Sequence, residues 1–290
     1  MIIKDNLPPK YLQEDSLSQE CKKLLSTLPK EKRWIGSYIY KYQGFWTSPR
    51  LIQGVIACQQ QFQAQDTDII LHSVFKQNHP LLVKNPHVLV PFLEHTLYVD
   101  GRIPDFSSFT SPRLLATHVP FASLPKFVQN SETKLVYLLD HKDTNSIEEM
   151  FDLFCKGVSI YSPFWDHVLD YWKQSIENPN KILFLMYEEM KEKPKIQLKR
   201  LAEFLECQFS IGEENCGVVD EILKMCSFEN LSNLEVNTNE KLSTGEGNKI
   251  FFRKGEIGDW KNYFTVEMSE KLNRITEQKF YGSGLKFSYT

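Results

Sequence analysis

Near its C-terminal end the chain carries Arg253-Lys254-Gly255, two adjacent cations followed by a glycine. That combination suits an anion: the guanidinium offers a planar fork to phosphate oxygens, the ammonium a point charge, and glycine lets the backbone come close. A solvated surface turn carries the same pair, so the tripeptide alone leaves both readings open. His118, in Thr117-His118-Val119-Pro120, is the candidate base. An imidazole titrates near neutrality, and this one follows a predicted strand, where open α/β sheets present ligand sites. Between Trp34 and Trp46 aromatic residues crowd together, with Tyr38, Tyr40, Tyr42 and Phe45 among them. They fit either a hairpin packing its rings into the core or a wall for a flat, apolar ligand. The 6 cysteines show no C-x-x-C spacing and the 7 histidines no H-E-x-x-H or i,i+4 pair, so no metal site is expected.

The elements that must position these groups follow from periodicity. Asp68 to Leu71, Arg113 to Thr117, Lys134 to Leu139 and Ile182 to Met186 read as short buried strands. Helical patterns run over Glu14 to Leu28, Leu51 to Phe62, Pro86 to Glu94, Ile147 to Cys155, Phe164 to Glu177, Lys195 to Leu205, Val218 to Cys226 and Val266 to Phe280. The alternation predicts an α/β fold with a central parallel sheet flanked by helices. Val236 to Lys249, rich in Asn, Thr, Ser and Gly, reads as a mobile loop. Neither a repeat nor a linker divides the chain, which predicts a single domain over 1–290. Hydrophobic content of 41% supports a substantial core, and a formal net charge of -3 argues against a nucleic-acid or anionic-membrane surface. No apolar run is long enough to span a bilayer, and Met1-Ile2-Ile3-Lys4-Asp5 has no signal-peptide core, so a cytoplasmic protein is expected.

Several strings occur in one order: Tyr42-Gln43-Gly44-Phe45-Trp46, Asp66-Thr67-Asp68-Ile69-Ile70, His79-Pro80-Leu81-Leu82, Thr117-His118-Val119-Pro120 and Gly157-Val158-Ser159 with Pro163-Phe164-Trp165-Asp166-His167. Tyr187-Glu188-Glu189-Met190, Cys226-Ser227-Phe228-Glu229-Asn230-Leu231 and Arg253-Lys254-Gly255 with Gly258-Asp259-Trp260-Lys261-Asn262 complete the series. Together they resemble the cytosolic sulfotransferases, in particular the plant soluble, flavonol-type members. The resemblance implies the sulfotransferase, P-loop-like fold. It also implies transfer of a sulfuryl group from 3′-phosphoadenosine-5′-phosphosulfate (PAPS) to a hydroxyl of a small phenolic, flavonoid or steroid-like acceptor, without a metal. It assigns His118 as catalytic base and Tyr187, Cys226, Ser227 and Phe228 to the adenosine. Arg253, Lys254 and Gly255 go to the 3′-phosphate, and Phe45 and Trp46 to the acceptor pocket. Lys261, Thr265, Val266 and Glu270 resemble a short dimerisation motif, implying a weak homodimer; the same residues also fit a helix start capped by Thr265.

Two segments depart from that family. Its first strand is followed by a Pro-Lys-Ser-Gly-Thr-Thr-Trp loop whose amides and lysine hold the 5′-phosphosulfate. Here Leu71 is followed by His72-Ser73-Val74-Phe75-Lys76-Gln77-Asn78-His79-Pro80, with no glycine and only Lys76 for charge. Where the family reads Arg-Asn-Pro-Lys-Asp, this chain reads Asp140-His141-Lys142-Asp143-Thr144, and an acidic side chain repels a phosphate. Two readings therefore stand: a PAPS-dependent sulfotransferase, or an inactive, decayed or mis-assembled relative that at most binds a small molecule. The second would bind 3′,5′-diphosphoadenosine weakly.

Overall fold

The computed structural model describes residues 17–32, 38–73, 90–139, 147–241, 247–252 and 254–287. Helix α1 (Gln19–Leu25) starts at Ser18, whose hydroxyl accepts from the Cys21 N–H. An antiparallel sheet follows in the order β1 (Lys30–Lys32), β2 (Tyr38–Tyr42), β3 (Phe45–Thr47). β2 and β3 form a hairpin in which Tyr42 pairs with Phe45 and Tyr40 with Thr47. The aromatic cluster is thus a hairpin, and Phe45 and Trp46 are buried in it. Helix α2 (Pro49–Gln61) opens with proline at its first position, where the missing N–H costs nothing, and buries Leu51, Ile52 and Val55.

The second sheet is parallel, with strands β4 (Ile69–Ser73), β5 (Leu114–Thr117), β6 (Lys134–Leu139) and β7 (Ile182–Met186) in the order β5-β4-β6-β7. Period-2 alternation divides its side chains between two cores. Leu135, Tyr137, Ile182 and Phe184 join the main core with Trp165, Val168 and Tyr171 of a long helix and Phe280 of the last one. Val136, Leu183 and Leu185 face the other way, against Met190, Leu201, Phe204 and Leu205. Both faces are covered, which is why these strands read as near-continuous apolar runs. At the amino end of the sheet, Asp68 and Arg113 form a buried two-pronged ion pair at 2.7 and 2.5 Å. It fixes β4 against β5 away from the carboxyl ends.

The flanking helices follow in chain order: α3 (Lys126–Asn130), α4 (Ile147–Cys155), α5 (Phe164–Glu177), α6 (Tyr187–Glu192), α7 (Pro194–Phe204), α8 (Ile211–Asn215), α9 (Val218–Met225), α10 (Phe228–Ser232), α11 (Glu235–Thr238) and α12 (Val266–Phe280). β5 lies to one side of β4, while β6 and β7 lie to the other. The strand order therefore reverses at β4, and ligands of open α/β sheets bind beyond the carboxyl ends at such a reversal. Residues 74–89, which follow β4 and include Lys76, lie outside the described residues.

Three elements differ from expectation. Of the helix expected over Pro86 to Glu94, 86–89 lie outside the described residues, and Phe92 is instead extended and bridges to Ala116. The helical turn is a five-residue π-helix, Leu93–Leu97, in which the Glu94 side chain turns inward instead of facing solvent. The expected loop from Val236 to Lys249 is bounded by α11 and by a 3-10 turn at Asn248–Phe251, with a bridge between Lys241 and Gly247. Two of its three asparagines are structural: Asn237 Nδ2 donates to the Leu231 carbonyl and Asn248 Nδ2 to that of Val236. The first helix is shorter than its pattern, ending at Leu25, and Glu14 lies outside the described residues.

Candidate functional site

His118 stands directly after β5, at a carboxyl end of the parallel sheet. Its backbone N–H donates to Glu94 Oε1 at 2.9 Å, and its ring Nδ1 lies 3.1 Å from the same oxygen. The Thr117 hydroxyl donates to Glu94 Oε2 at 2.9 Å, so both carboxylate oxygens are engaged. Glu94 is 0% exposed. Burial alone pushes its pKa up, but the hydrogen bond and charge interaction with His118 outweigh it and hold the carboxyl below its ordinary value. The imidazole is stacked on Phe92 at 4.3 Å and on Tyr161 at 4.8 Å, which leaves only an edge of the ring open.

Tyr161 sits in a backbone region that non-glycine residues rarely adopt, with φ at 62°. Its surroundings hold it there: its N–H donates to the Trp46 carbonyl at 2.7 Å, and its own carbonyl accepts from His167 Nδ1 at 3.0 Å. Trp46 N–H donates in turn to the Ser162 carbonyl. The hairpin tip and the 159–163 loop are thereby stitched together beside His118. His167 is buried, and its pKa is pushed down to about 4, chiefly by burial and further by the charge of His118, against the opposing bond to Tyr161. Phe45 belongs to the main core, whereas Trp46 is tied directly to Tyr161.

A second group gathers around Phe228. Cys226 ends α9, and Ser227 caps α10 by accepting from the Asn230 N–H. Gly255, with φ at 66°, lies so near the Phe228 ring that an added Cβ would meet Cδ2 at 2.4 Å. Glycine is thus required both for the backbone turn and for the approach. Lys254 Nζ pairs with Asp259 Oδ1 at 3.1 Å, and the bond raises its pKa. Cys226, Ser227, Phe228, Lys254 and Gly255 are therefore brought together, while Arg253, Asp140 and His141 lie outside the described residues. Tyr187 starts α6 at the carboxyl end of β7. It is separated from His118 by the width of the sheet, ~14 Å at ~4.8 Å per strand step. Among the described residues no group of His, Cys, Asp and Glu could hold a metal ion, and no helix is long and apolar enough to cross a membrane.

Glu94, Phe92, Tyr161 and His167 were not foreseen as site residues. For Glu94 a signal existed: one carboxylate closing the apolar run Val90-Pro91-Phe92-Leu93. A charge in such a run is either exposed or paired, and periodicity cannot say which.

The family model described as "Sulfotransferase domain" matches residues 57–140 and 139–284, in two pieces that meet at the second departure noted above. Cytosolic sulfotransferase 5 of Arabidopsis thaliana is 44% identical over an alignment of 319 residues covering 95% of this chain and 99% of the relative. That alignment is longer than the 290 residues of this chain, so the relative carries internal residues that this chain lacks. The crystal structure of a candidate steroid sulphotransferase from Arabidopsis thaliana superposes with a TM-score of 0.75 at 40% identity, covering 97% of this chain and 100% of that one. A mouse sulfotransferase complexed with PAP shares the fold, with a TM-score of 0.61 at 22% identity over 85% of this chain and 96% of that one. Likeness of this extent, over nearly the whole chain, makes it a member of the sulfotransferase family, of the plant cytosolic type.

Proposed function

We propose that this chain transfers a sulfuryl group from PAPS to the hydroxyl of a small, flat acceptor of phenolic, flavonoid or steroid-like character, with His118 as general base. The observation that carries the reading is the seating of His118: an imidazole anchored on a buried carboxylate, between two aromatic faces, at the carboxyl end of a sheet strand. In the step, the imidazole takes the proton of the acceptor hydroxyl while the acceptor oxygen bonds to sulfur. The bond from sulfur to the bridging oxygen breaks, and its electron pair leaves on the phosphate of 3′,5′-diphosphoadenosine (PAP). Phe45 and Trp46, with Phe92 and Tyr161, supply the acceptor wall. Tyr187, Cys226, Ser227, Phe228, Arg253, Lys254 and Gly255 serve the adenosine and the 3′-phosphate; Lys254 must turn from Asp259 or share its charge with the phosphate. No metal takes part. Turnover of PAPS with a panel of phenols tests this: His118→Ala is expected to reduce it by a factor of ~10²–10⁴. PAP binding should be unchanged. Equal turnover by both proteins would remove His118 from the role.

A second reading, a non-catalytic relative, starts from the two departures in the sequence and from the internal residues that the relative carries and this chain lacks. Calorimetry with PAP separates the two readings. Losing several charge-assisted hydrogen bonds, at about 1.5–3 kcal/mol each, would leave binding weak. Micromolar binding with turnover supports the enzyme, and neither supports the second reading. For assembly, we infer a weak homodimer through Lys261, Thr265, Val266 and Glu270, all exposed on the chain.

A further inference from the structure

We propose that Glu94 is the positioning residue of the site, fixing His118 as the tautomer with hydrogen on Nδ1, so that Nε2 presents its lone pair to the acceptor hydroxyl. The proposal rests on the reading of His118 as the base. Glu94 is held from three directions: by the Thr117 hydroxyl at 2.9 Å on one oxygen, and by the His118 backbone N–H at 2.9 Å and the ring Nδ1 at 3.1 Å on the other. A carboxylate only accepts, so the short contact to Nδ1 is a hydrogen bond only if Nδ1 carries the hydrogen. A fully buried carboxylate without donors is costly, and three converging donors settle it as an anion. That anion also stabilises the imidazolium formed once Nε2 has taken the acceptor's proton.

The backbone prevents the carboxylate from withdrawing. Helix α2 passes so near the Leu93–Leu97 turn that a Cβ at Gly54 would lie 2.1 Å from the Glu94 carbonyl oxygen. Phe92 and Tyr161 clamp the imidazole from both faces and oppose a flip of the ring. Among the described residues the other titratable groups near the dyad include Tyr161, stacked on His118, His95, 6.2 Å from His118 ring to ring, and buried His167, Tyr171 and Cys58. His167 is turned to the Tyr161 carbonyl and Tyr171 to that of Val119, so neither competes for His118 Nδ1.

Long-range ¹⁵N–¹H spectra of the full chain with labelled histidine, assigned by loss of signals in His118→Ala, test this directly. The unsubstituted protein should show His118 with a protonated Nδ1 and an unprotonated Nε2 near neutral pH. Glu94→Leu, which offers Nδ1–H no acceptor, should abolish that preference and lower kcat by ~10²–10⁴-fold with KM little changed. Thr117→Val, which leaves the carboxylate but removes one anchor, should have the same effect to a smaller degree. An Nε2-protonated His118 in the unsubstituted protein, or an unaltered tautomer in Glu94→Leu, would overturn the assignment. Because the spectrum needs no turnover, it stands or falls separately from His118→Ala activity, which tests the base itself.

Discussion

His167 illustrates how the surroundings of the base depend on charge as well as shape. It is buried against Tyr137 and Tyr171 and donates from Nδ1 to the Tyr161 carbonyl, so it is stable in the fold only as the neutral ring. Its pKa of about 4 lies below the ordinary histidine value of ~6.5. Between those values the unfolded chain binds a proton that the folded chain refuses. Stability is therefore fully present above about pH 6.5 and declines as pH falls toward 4, by about 3 kcal/mol for a shift of this size. Urea denaturation across that window should show the decline, and His167→Gln, which retains a donor for Tyr161, should flatten it. An equally steep profile in the variant would place the acid sensitivity elsewhere. Roles such as this were not legible in the sequence, where His118 and His167 differ only in their neighbours. His118 was found because it follows a strand within a Thr-His-Val-Pro string that resembles the sulfotransferases; His167 acts through a backbone carbonyl that no motif displays.

Among the elements, the contact between α2 and the Leu93–Leu97 turn sets the position of Glu94. Gly54 lies within α2, where glycine costs about 1 kcal/mol relative to alanine, so helix propensity alone predicts that Gly54→Ala stabilises the protein. The added methyl would, however, overlap the Glu94 carbonyl at 2.1 Å, and overpacking of this kind typically costs about 1–3 kcal/mol. Steric overlap with backbone is the larger effect, so net destabilisation is expected, together with reduced turnover as Glu94 is displaced from His118. Thermal and urea denaturation give the sign; a more stable variant would mean that the turn yields freely. The strands of the parallel sheet were legible because each is an apolar run bounded by polar residues, and the hairpin because its rings alternate. The π-helical turn was not, since the carboxylate it carries is turned inward onto Thr117 and His118 of a distant strand end, a tertiary contact that a 3.6-residue pattern does not show. Likewise Asn237 and Asn248 read as loop residues because a buried amide satisfied by carbonyls has the composition of a solvated one.

Across the whole molecule, the main core draws on residues from Phe45 to Leu285 and joins the hairpin, the parallel sheet, α5 and α12. That continuity is the basis for proposing one cooperative unit over 1–290. The proposed assembly concerns the start of α12. Thr265 caps α12 by accepting from the Met268 N–H, so the helix start foreseen as one reading of this stretch is present. A cap does not exclude an interface: Val266 is 69% exposed, with Trp260 and Tyr263 also open and Lys261 over the Trp260 ring. In a two-fold pairing, Lys261 and Glu270 of facing copies would attract across a centre formed by Thr265 and Val266. So small a patch falls below the ~1,200 Å² of a stable interface, and its ion pairs are screened over ~8–10 Å at moderate salt, so the dimer should weaken as salt rises. Val266→Glu separates interface from cap. An acidic residue in the first turn of a helix is favoured by the helix dipole, so α12 should keep its stability, while two carboxylates meeting at the two-fold axis should repel. Sedimentation at tens of micromolar is expected to show a salt-sensitive dimer for the unmodified chain and a monomer for Val266→Glu, with unchanged denaturation midpoints. A monomer in both would leave Thr265 and Val266 with the helix start alone.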